Sequence, residues 1–467
     1  MRFFLLNIIS FLALFFLSFE SANAKVLQLE EVLSSSIKNY PKILEAQEKI
    51  KQKQGEVLSK EGYFDLEFNQ NLFSKASGFY DGRVVDSKLE KRIPEFGSKI
   101  YTGYKISDGN FPIYEDQFNT NENGEYSVGL MFSLLRDRAI DSPRFNLISS
   151  QLALQQAEFE KLFTQVTIQY KSFNAYYNWV SAGLIYYVYK NLLEIAEKRQ
   201  SAFEERVKRG DLAKIFLTEN RQNILKRKSQ LVEAERILNN QAFELSLFYR
   251  DKNGNPVTPS KENLPKNFQE INFEKTKKAD FDFAKIRPDI KILISEIEIQ
   301  RNKILIGENS INPRFDIAVE ASKDRGAGSA SLAEDEANIM AKVSIPLQRR
   351  LGQGQIDEAR ASISQLEKQK QLLLDNINAE ISSIQVDLEA NTEKQKITEE
   401  EVLLAKKMEQ AEIKRFSNGA SDFFVVNMRE EKTAIAKINN ILAKLDYLKS
   451  ISRYYSTTIQ LDKFQIN

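Results

Sequence analysis

Cysteine and histidine are both absent from the 467 residues of this chain. Without cysteine there are no disulfides, no thiol nucleophile and no thiolate metal site. Without histidine the chain lacks the side chain most used for proton transfer near neutral pH, which is also the commonest metal ligand. Catalysis is left to carboxylates or a Ser–Lys pair, and no nucleophile elbow, phosphate loop or metal-ligand cluster is found. No catalytic, cofactor or metal site is therefore expected. Charge of one sign is missing too, because 66 basic residues face 65 acidic ones. A general nucleic-acid binder carries a basic excess, so that class is disfavoured. Proline and glycine are sparse, at 10 and 18 residues, leaving long stretches with nothing to interrupt a helix. Beyond the first 25 residues no apolar run approaches the roughly 20 that a spanning helix needs.

What is present begins with MRFFLLNIISFLALFFLSFESANAK. One early basic residue, Arg2, precedes an apolar run from Phe3 to Phe19, and Ala22-Asn23-Ala24 fits a small-x-small cleavage site. This is the plan of a secretory signal peptide over 1–24, so the mature chain is expected to leave the cytoplasm. Ile, Leu, Ala, Glu, Lys and Gln dominate the long middle stretches, as in extended helices and coiled coils.

Periodicity then divides the chain. Leu27 to Lys60 reads as helix, with a break or new first turn at Tyr40-Pro41. Strict alternation follows in DLEFNQNLF, where Leu66, Phe68 and Leu72 share a face, and in EYSVGLMFSL, where Tyr126, Val128, Leu130, Phe132 and Leu134 do. SKIYTGYKI (98–106) alternates more loosely, and the strand-like material at 83–106 has no assigned place. Helix is expected from Pro143 to about Lys208 and again, after Gly210, to about Tyr249. NGNPVTPSKENLP (253–265) holds three of the ten prolines and marks a linker, taken as 253–285.

The same order then repeats. Arg287-Pro288-Asp289 opens a helix. RFDIAVEAS (314–322) and NIMAKVSI (338–345) alternate as strands. From Gln355 to about Phe416 a helix places Ile356, Ala359, Ile363, Leu366, Leu373, Ile377 and Ile384 in a heptad-like seam, and Ile438, Ile441, Leu445 and Leu448 continue one after Gly419. RVKRGDLAKIFL (206–217) is rephrased as RFSNGASDFFVV (415–426), and 415 − 206 = 209 residues separate the copies. The chain is thus a tandem duplication, with repeats over 25–252 (strands 64–134, helices 143–249) and 286–467 (strands 314–345, helices 355–455).

Two geometric demands follow. A helix of about 60 residues is roughly 90 Å long and must run beside others in a bundle. Period-2 strands in an exported chain fit either a transmembrane β-barrel or a soluble sandwich, and alternation alone does not decide between them. Two strands per repeat give four, too few to close a membrane barrel, so strands that cross a membrane must be pooled between copies.

Taken in order, these segments resemble the TolC-type outer-membrane efflux protein family over essentially the whole mature chain. RPDIKILISEIEIQRNKILIGENSINPRFDIAVEAS is similar to its second-repeat opening. YSVGLMFSLLRDR and AKVSIPLQRRLGQGQIDEAR resemble its strand-to-helix passages, and the two RVKRG/RFSNG phrases its helix-turn-helix tips. The resemblance implies a mainly α chain with β, four strands per copy, and a homotrimeric outer-membrane β-barrel continuous with a long periplasmic α-helical barrel. It implies a periplasmic adaptor (membrane fusion) protein and an inner-membrane RND- or ABC-type transporter as partners, lipid around the barrel, and passive conduction in drug efflux or type I secretion. A periplasmic coiled-coil adaptor or scaffold is the alternative from another class; an adaptor, however, should carry a small Gly-rich β domain and one hairpin rather than two matched units.

The tips hold the candidate site: Arg206, Gly210, Asp211 and Phe216 in the first, and Arg415, Gly419, Asp422, Val425 and Met428 in the second. Well-known family members carry aspartates six and nine residues after the second tip glycine, forming an acidic ring. Here Val425 and Met428 stand at those positions, so the resemblance leaves an apolar constriction as the alternative to a carboxylate ring. Arg206 and Arg415 suit a helix C-terminus, or a salt bridge to a neighbouring helix. Phe216, Phe423, Phe424 and Val425 are expected to pack between helices. Phe79, Tyr80, Tyr114 and Tyr126 suit an aromatic girdle or a soluble sheet, and KRKSQLVEAER a solvated helix face.

Overall fold

The computed structural model describes residues 25–269, 271 and 282–466. The expected signal peptide and much of the second half of the expected linker lie outside the described residues. The first helices are α1 (Leu29–Asn39) and α2 (Pro41–Glu61). Pro41 opens α2 because the first turn needs no amide donor there. Four strands follow: β1 (Leu66–Lys75), β2 (Gly82–Ile93), β3 (Ser98–Gly109) and β4 (Glu125–Ser133). Two long helices, α3 (Ser142–Lys208) and α4 (Ile215–Ser246), complete the first half. The short α5 (Phe283–Ile286) precedes α6 (Pro288–Ile311), strands β5 (Arg314–Asp324) and β6 (Asp335–Ser344), and helices α7 (Arg350–Ser417) and α8 (Phe423–Thr457).

The halves match in their helices. α3 and α7 have 67 and 68 residues, and α4 and α8 have 32 and 35. They differ in their strands, four against two. This corrects the expectation of four strands per copy, because 82–109 forms an additional hairpin within the same sheet. The sequence shows 83–106 as strand-like without fixing its place, because in its first strand Val85, Leu89 and Ile93 recur every four residues with Arg83, Ser87 and Lys91 between them and give no clean period-2 face.

All six strands form one antiparallel sheet in chain order, β1 to β6, and β1 and β6 are its edges. The chain separates into two compact units that cut across the repeats, each taking segments from both halves. One holds the sheet with α2, α6 and the starts of α3 and α7. In it α6 and α7 cross at a pair of glycines: a Cβ on Gly307 would lie 2.7 Å from Ile356, and one on Gly352 would lie 2.6 Å from the Gly307 carbonyl. The other unit holds α1, α4, α8, the remainder of α3 and α7, and the C-terminal residues. Its core includes Phe173, Tyr176, Trp179, Leu238, Leu245, Ile451 and Tyr454. Buried Gln169 donates to the Leu33 carbonyl at 2.8 Å and the Phe464 carbonyl at 3.0 Å, tying α1 and the C-terminal segment to α3. The α7 seam is as expected, with Ile356, Ala359, Ile377 and Ile384 buried.

Candidate membrane-facing sheet and helical tips

Cross-strand register decides which residues share a face of the sheet. Leu66 pairs with Lys91, Phe68 with Leu89 and Leu72 with Val85. Leu89 pairs with Thr102, Ile100 with Leu130, and Val128 with Ala321. Val319 pairs with Ile339, and Phe315 with Val343. One face is therefore predominantly apolar across the six strands, interrupted in β1 and β2 by Gln70, Arg83, Ser87 and Lys91. The opposite face carries Glu67, Asp86, Lys88, Glu90, Lys99, Lys105, Glu125, Asp316, Glu320 and Lys342.

The exposure of these faces is the reverse of a water-soluble sheet. In β4, Tyr126, Val128 and Leu130 are exposed while Gly129 and Ser133 are buried. In β5, Val319 and Ala321 are exposed while Asp316, Ser322 and Asp324 are buried. Phe68, Leu72, Ile339 and Val343 are each more than 60 % exposed. The polar face satisfies itself instead. Ser133 Oγ donates to Asp316 at 2.8 Å, Tyr101 Oη donates to Glu320 at 2.7 Å, and Lys99 meets Glu90 at 2.8 Å. A soluble sandwich buries its apolar faces against each other. This sheet has its apolar side outward, while its inner strands bury polar residues on the other side and its edge strands β1 and β6 are exposed on both; an apolar outer face is the pattern a barrel wall presents to lipid.

Aromatic residues mark the loop end of this sheet. Phe79 is 89 % exposed and Tyr114 is 69 % exposed, and Tyr126 meets Tyr104 in a tilted pair with ring centroids 4.9 Å apart. Tyr80 does not join them on the surface. It is buried beside Phe111, with Lys75 Nζ 3.7 Å above its ring.

The two tips are closed by the same backbone device. The Asp211 amide donates to the Arg206 carbonyl at 2.9 Å and the Gly210 amide to Val207 at 3.1 Å. At the second tip, Ala420 donates to the Arg415 carbonyl at 2.9 Å and Gly419 to Phe416 at 3.0 Å. Both are Schellman closures with the glycine at positive φ, +84° and +75°. The four-residue spacing of Arg and Gly is thus the spacing from the carbonyl acceptor to the left-handed residue.

Arg206 and Asp211 are exposed, and Phe216 is half-buried. Arg415 reaches Glu412 at 3.3 Å and the Ala420 carbonyl at 3.3 Å, both within its own turn rather than on another helix. Asp422 caps α8 by accepting from the Phe424 amide at 3.3 Å. Val425 and Met428 are half-buried. Phe424 was expected to pack, yet it is 65 % exposed because the adjacent Phe423 takes the inward direction.

Four phenylalanines join the two tips. Phe203 of α3 contacts Phe423 of α8 at 5.0 Å between ring centroids, and Phe216 and Phe416 pack around them at 6.1–6.5 Å. Above this cluster lies a buried ion triad that sequence inspection missed. Arg227 of α4 meets Glu430 of α8 at 2.8 Å and donates to the Leu192 carbonyl at 2.8 Å. Arg199 of α3 pairs with the same carboxylate and donates to Asn427 Oδ1 at 3.1 Å. Arg227 lies inside KRKSQLVEAER, so that run is not solvated throughout. The available signal was its place in the stripe Ile224, Arg227, Leu231, Ala234, Leu238.

Solved structures similar to this chain in fold include outer-membrane channels. The Campylobacter jejuni CmeC outer membrane channel is 15% identical with a TM-score of 0.62, covering 92% of this chain and 85% of that one. The Neisseria gonorrhoeae MtrE outer membrane channel in its open state is 11% identical with a TM-score of 0.64, covering 92% and 88%. The outer membrane protein VceC of Vibrio cholerae is 14% identical with a TM-score of 0.60, covering 92% and 96%. The chain shares the fold of outer-membrane channels. The TolC-type resemblance of the sequence is borne out at that level. No protein-family model matches the sequence, and no curated protein does.

Proposed function

We propose that the protein is an outer-membrane exit duct of a tripartite efflux or type I secretion system. Copies pool their strands into a lipid-embedded barrel, and the long helices line a periplasmic conduit whose tips meet an adaptor and an inner-membrane pump. Substrates then cross without chemistry. The observation that carries this reading is the sheet with its apolar face outward and polar residues buried on the opposite face of its inner strands. Unpaired backbone groups in lipid cost several kcal/mol each, so six strands with two open edges require neighbouring copies. Cell fractionation tests it: the protein belongs in the detergent-extracted outer membrane as a heat-modifiable trimer, and recovery in the osmotic-shock supernatant would favour a soluble scaffold instead.

At the tips, Val425 and Met428 supply an apolar constriction in place of a carboxylate ring, closing the conduit by dewetting or steric contact. Arg206 and Arg415 stand at the rim, where neighbouring copies can meet them. Replacing either with Ala is expected to raise single-channel conductance in planar bilayers; unchanged conductance removes that arginine from the gate.

A further inference from the structure

The connection between β3 and β4 is the longest of the three at its end of the sheet, fifteen residues from Asn110 to Gly124, against six at 76–81 and ten at 325–334. An antiparallel pair needs only about two to five residues to turn. Register shows where the surplus goes. Phe73, Val84 and Ser107 form one row across the polar face of the sheet, and Asp86, Lys105, Glu125 and Asp324 form another. The loop folds back over both rows.

Rings hold its first part. Phe118 stacks on Phe73 with centroids 5.3 Å apart, and Phe111 tilts against Phe118 at 6.0 Å and against Tyr80 at 5.8 Å. Phe111 lies so close to β2 that a Cβ on Gly82 would stand 2.6 Å from its ring. Phe73 and Val84 thus break the polar pattern of their face where apolar rings of the loop meet it, and Val84 is buried. Lys105 pins the middle, where its Nζ donates to the Gln117 carbonyl at 3.0 Å while pairing with Glu125 at 2.5 Å. Hydrogen bonds fix the last part. The Ser107 amide donates to Thr120 Oγ1 and the Thr120 amide to Ser107 Oγ, both at 2.9 Å. The Asn121 amide donates to Asp324 Oδ1 at 3.0 Å, and the Glu122 and Asn123 amides donate to the carbonyls of Ala327 and Arg325. The loop does not lie flush. Lys105, Gln117 and Glu125 line two cavities, of about 370 and 210 Å³, between it and the sheet.

We infer that the 110–124 loop is a fixed strap over the inner wall of the duct, an exit filter that narrows the outer mouth and excludes bulky solutes there. This rests on the outer-membrane reading above, in which the polar face lines the conduit. A layer packed on a sheet through its side chains stands about 10 Å from it, so the loop takes a comparable depth from the bore. Because rings and hydrogen bonds fasten it along its length, the strap narrows the mouth permanently rather than swinging as a flap. Phe111, Gln117 and Phe118 set the size limit by holding the chain over the wall. The filter lies at the opposite end of the duct from the tips and is independent of their state.

The absence of cysteine makes the test clean. Ala318 stands on the polar face of β5, further from the loop end than Asp324. Intact cells carrying the full-length Ala318→Cys chain are treated from outside with a small maleimide or with a polymer-linked one, and the two labelling rates are compared. The small reagent is expected to react readily and the bulky one far more slowly. Deleting residues 111–119, which leaves Asn110 joined to Thr120 and keeps the Ser107–Thr120 bonds, is expected to raise the bulky rate toward the small one. Lys105→Met with Phe118→Ser, which loosens the strap at full length, is expected to raise it part of the way and decides the matter if the shortened chain does not assemble. A bulky rate that already matches the small one, or that neither variant raises, overturns the filter while leaving the duct intact. Failure of even the small reagent to reach Ala318→Cys overturns both.

Discussion

Gly210 and Gly419 illustrate how little side-chain space has to do with a conserved geometry inside one chain. A Cβ at either position would meet nothing within 4 Å, so the demand is the positive φ alone. Gly419→Ala is expected to cost about 1–2 kcal/mol, the penalty of a left-handed backbone for a residue with a Cβ. Gly419→Asn, which tolerates that region, should cost less, and urea unfolding measures both. The ion triad behaves differently. Glu430 is the sole carboxylate among its hydrogen-bonded partners Arg199 and Arg227, and its side chain is 1% exposed. Glu430→Gln leaves two guanidinium groups without their charge partner and is expected to destabilise the fold by about 3–5 kcal/mol. Arg415→Ala removes a mostly exposed guanidinium from the buried Glu412, which still accepts from Ser421 Oγ, and should cost about 1 kcal/mol by the same unfolding assay. Equal losses from Glu430→Gln and Arg415→Ala would contradict the distinction drawn between buried and rim charges.

At the scale of elements, legibility followed periodicity. The long helices and the strands β1, β4, β5 and β6 could be read because one face of each is uniformly apolar. β2 was legible only as strand-like material without a place, since Arg83, Ser87 and Lys91 interrupt its apolar face and only the pairing to β1 and β3 sets it in the sheet. The tip turns were visible as a repeated phrase, whereas the triad was not, because a buried arginine in a charged run differs from its neighbours only by its angular position. Among the expected packing residues, Phe423 and Phe424 show how a single step along α8 exchanges a fully buried ring for an exposed one. The sheet's two faces yield a direct element-scale prediction. Ile339→Arg places a charge on the exposed apolar face and, if that face meets lipid as proposed, is expected to cost about 2–4 kcal/mol at the bilayer midplane. Asn338→Arg, one residue away on the polar side, should leave assembly and heat-modifiability nearly unchanged. Refolding into lipid vesicles checks both, and equal tolerance of the two would sink the assignment of faces.

For the whole molecule, the proposed duct sets one sequence in two solvents. The helical unit buries aromatic residues and satisfies its polar groups internally, as a protein in water does. The sheet unit turns apolar side chains outward and leaves two edges unpaired, which is unfavourable in water and more so for a lone copy in lipid. The duplication supplies matched helices from each half. The additional hairpin in the first half then widens the sheet without altering its alternation of faces. The most direct measurement of this account uses an environment-sensitive thiol label at Val319→Cys or Ala318→Cys, neighbours in β5 on opposite faces, in the otherwise cysteine-free chain within outer-membrane vesicles. The account predicts that the label at 319 is quenched by a lipid-phase quencher and the label at 318 by a water-soluble one. The opposite pattern, or water access to both positions, would contradict it.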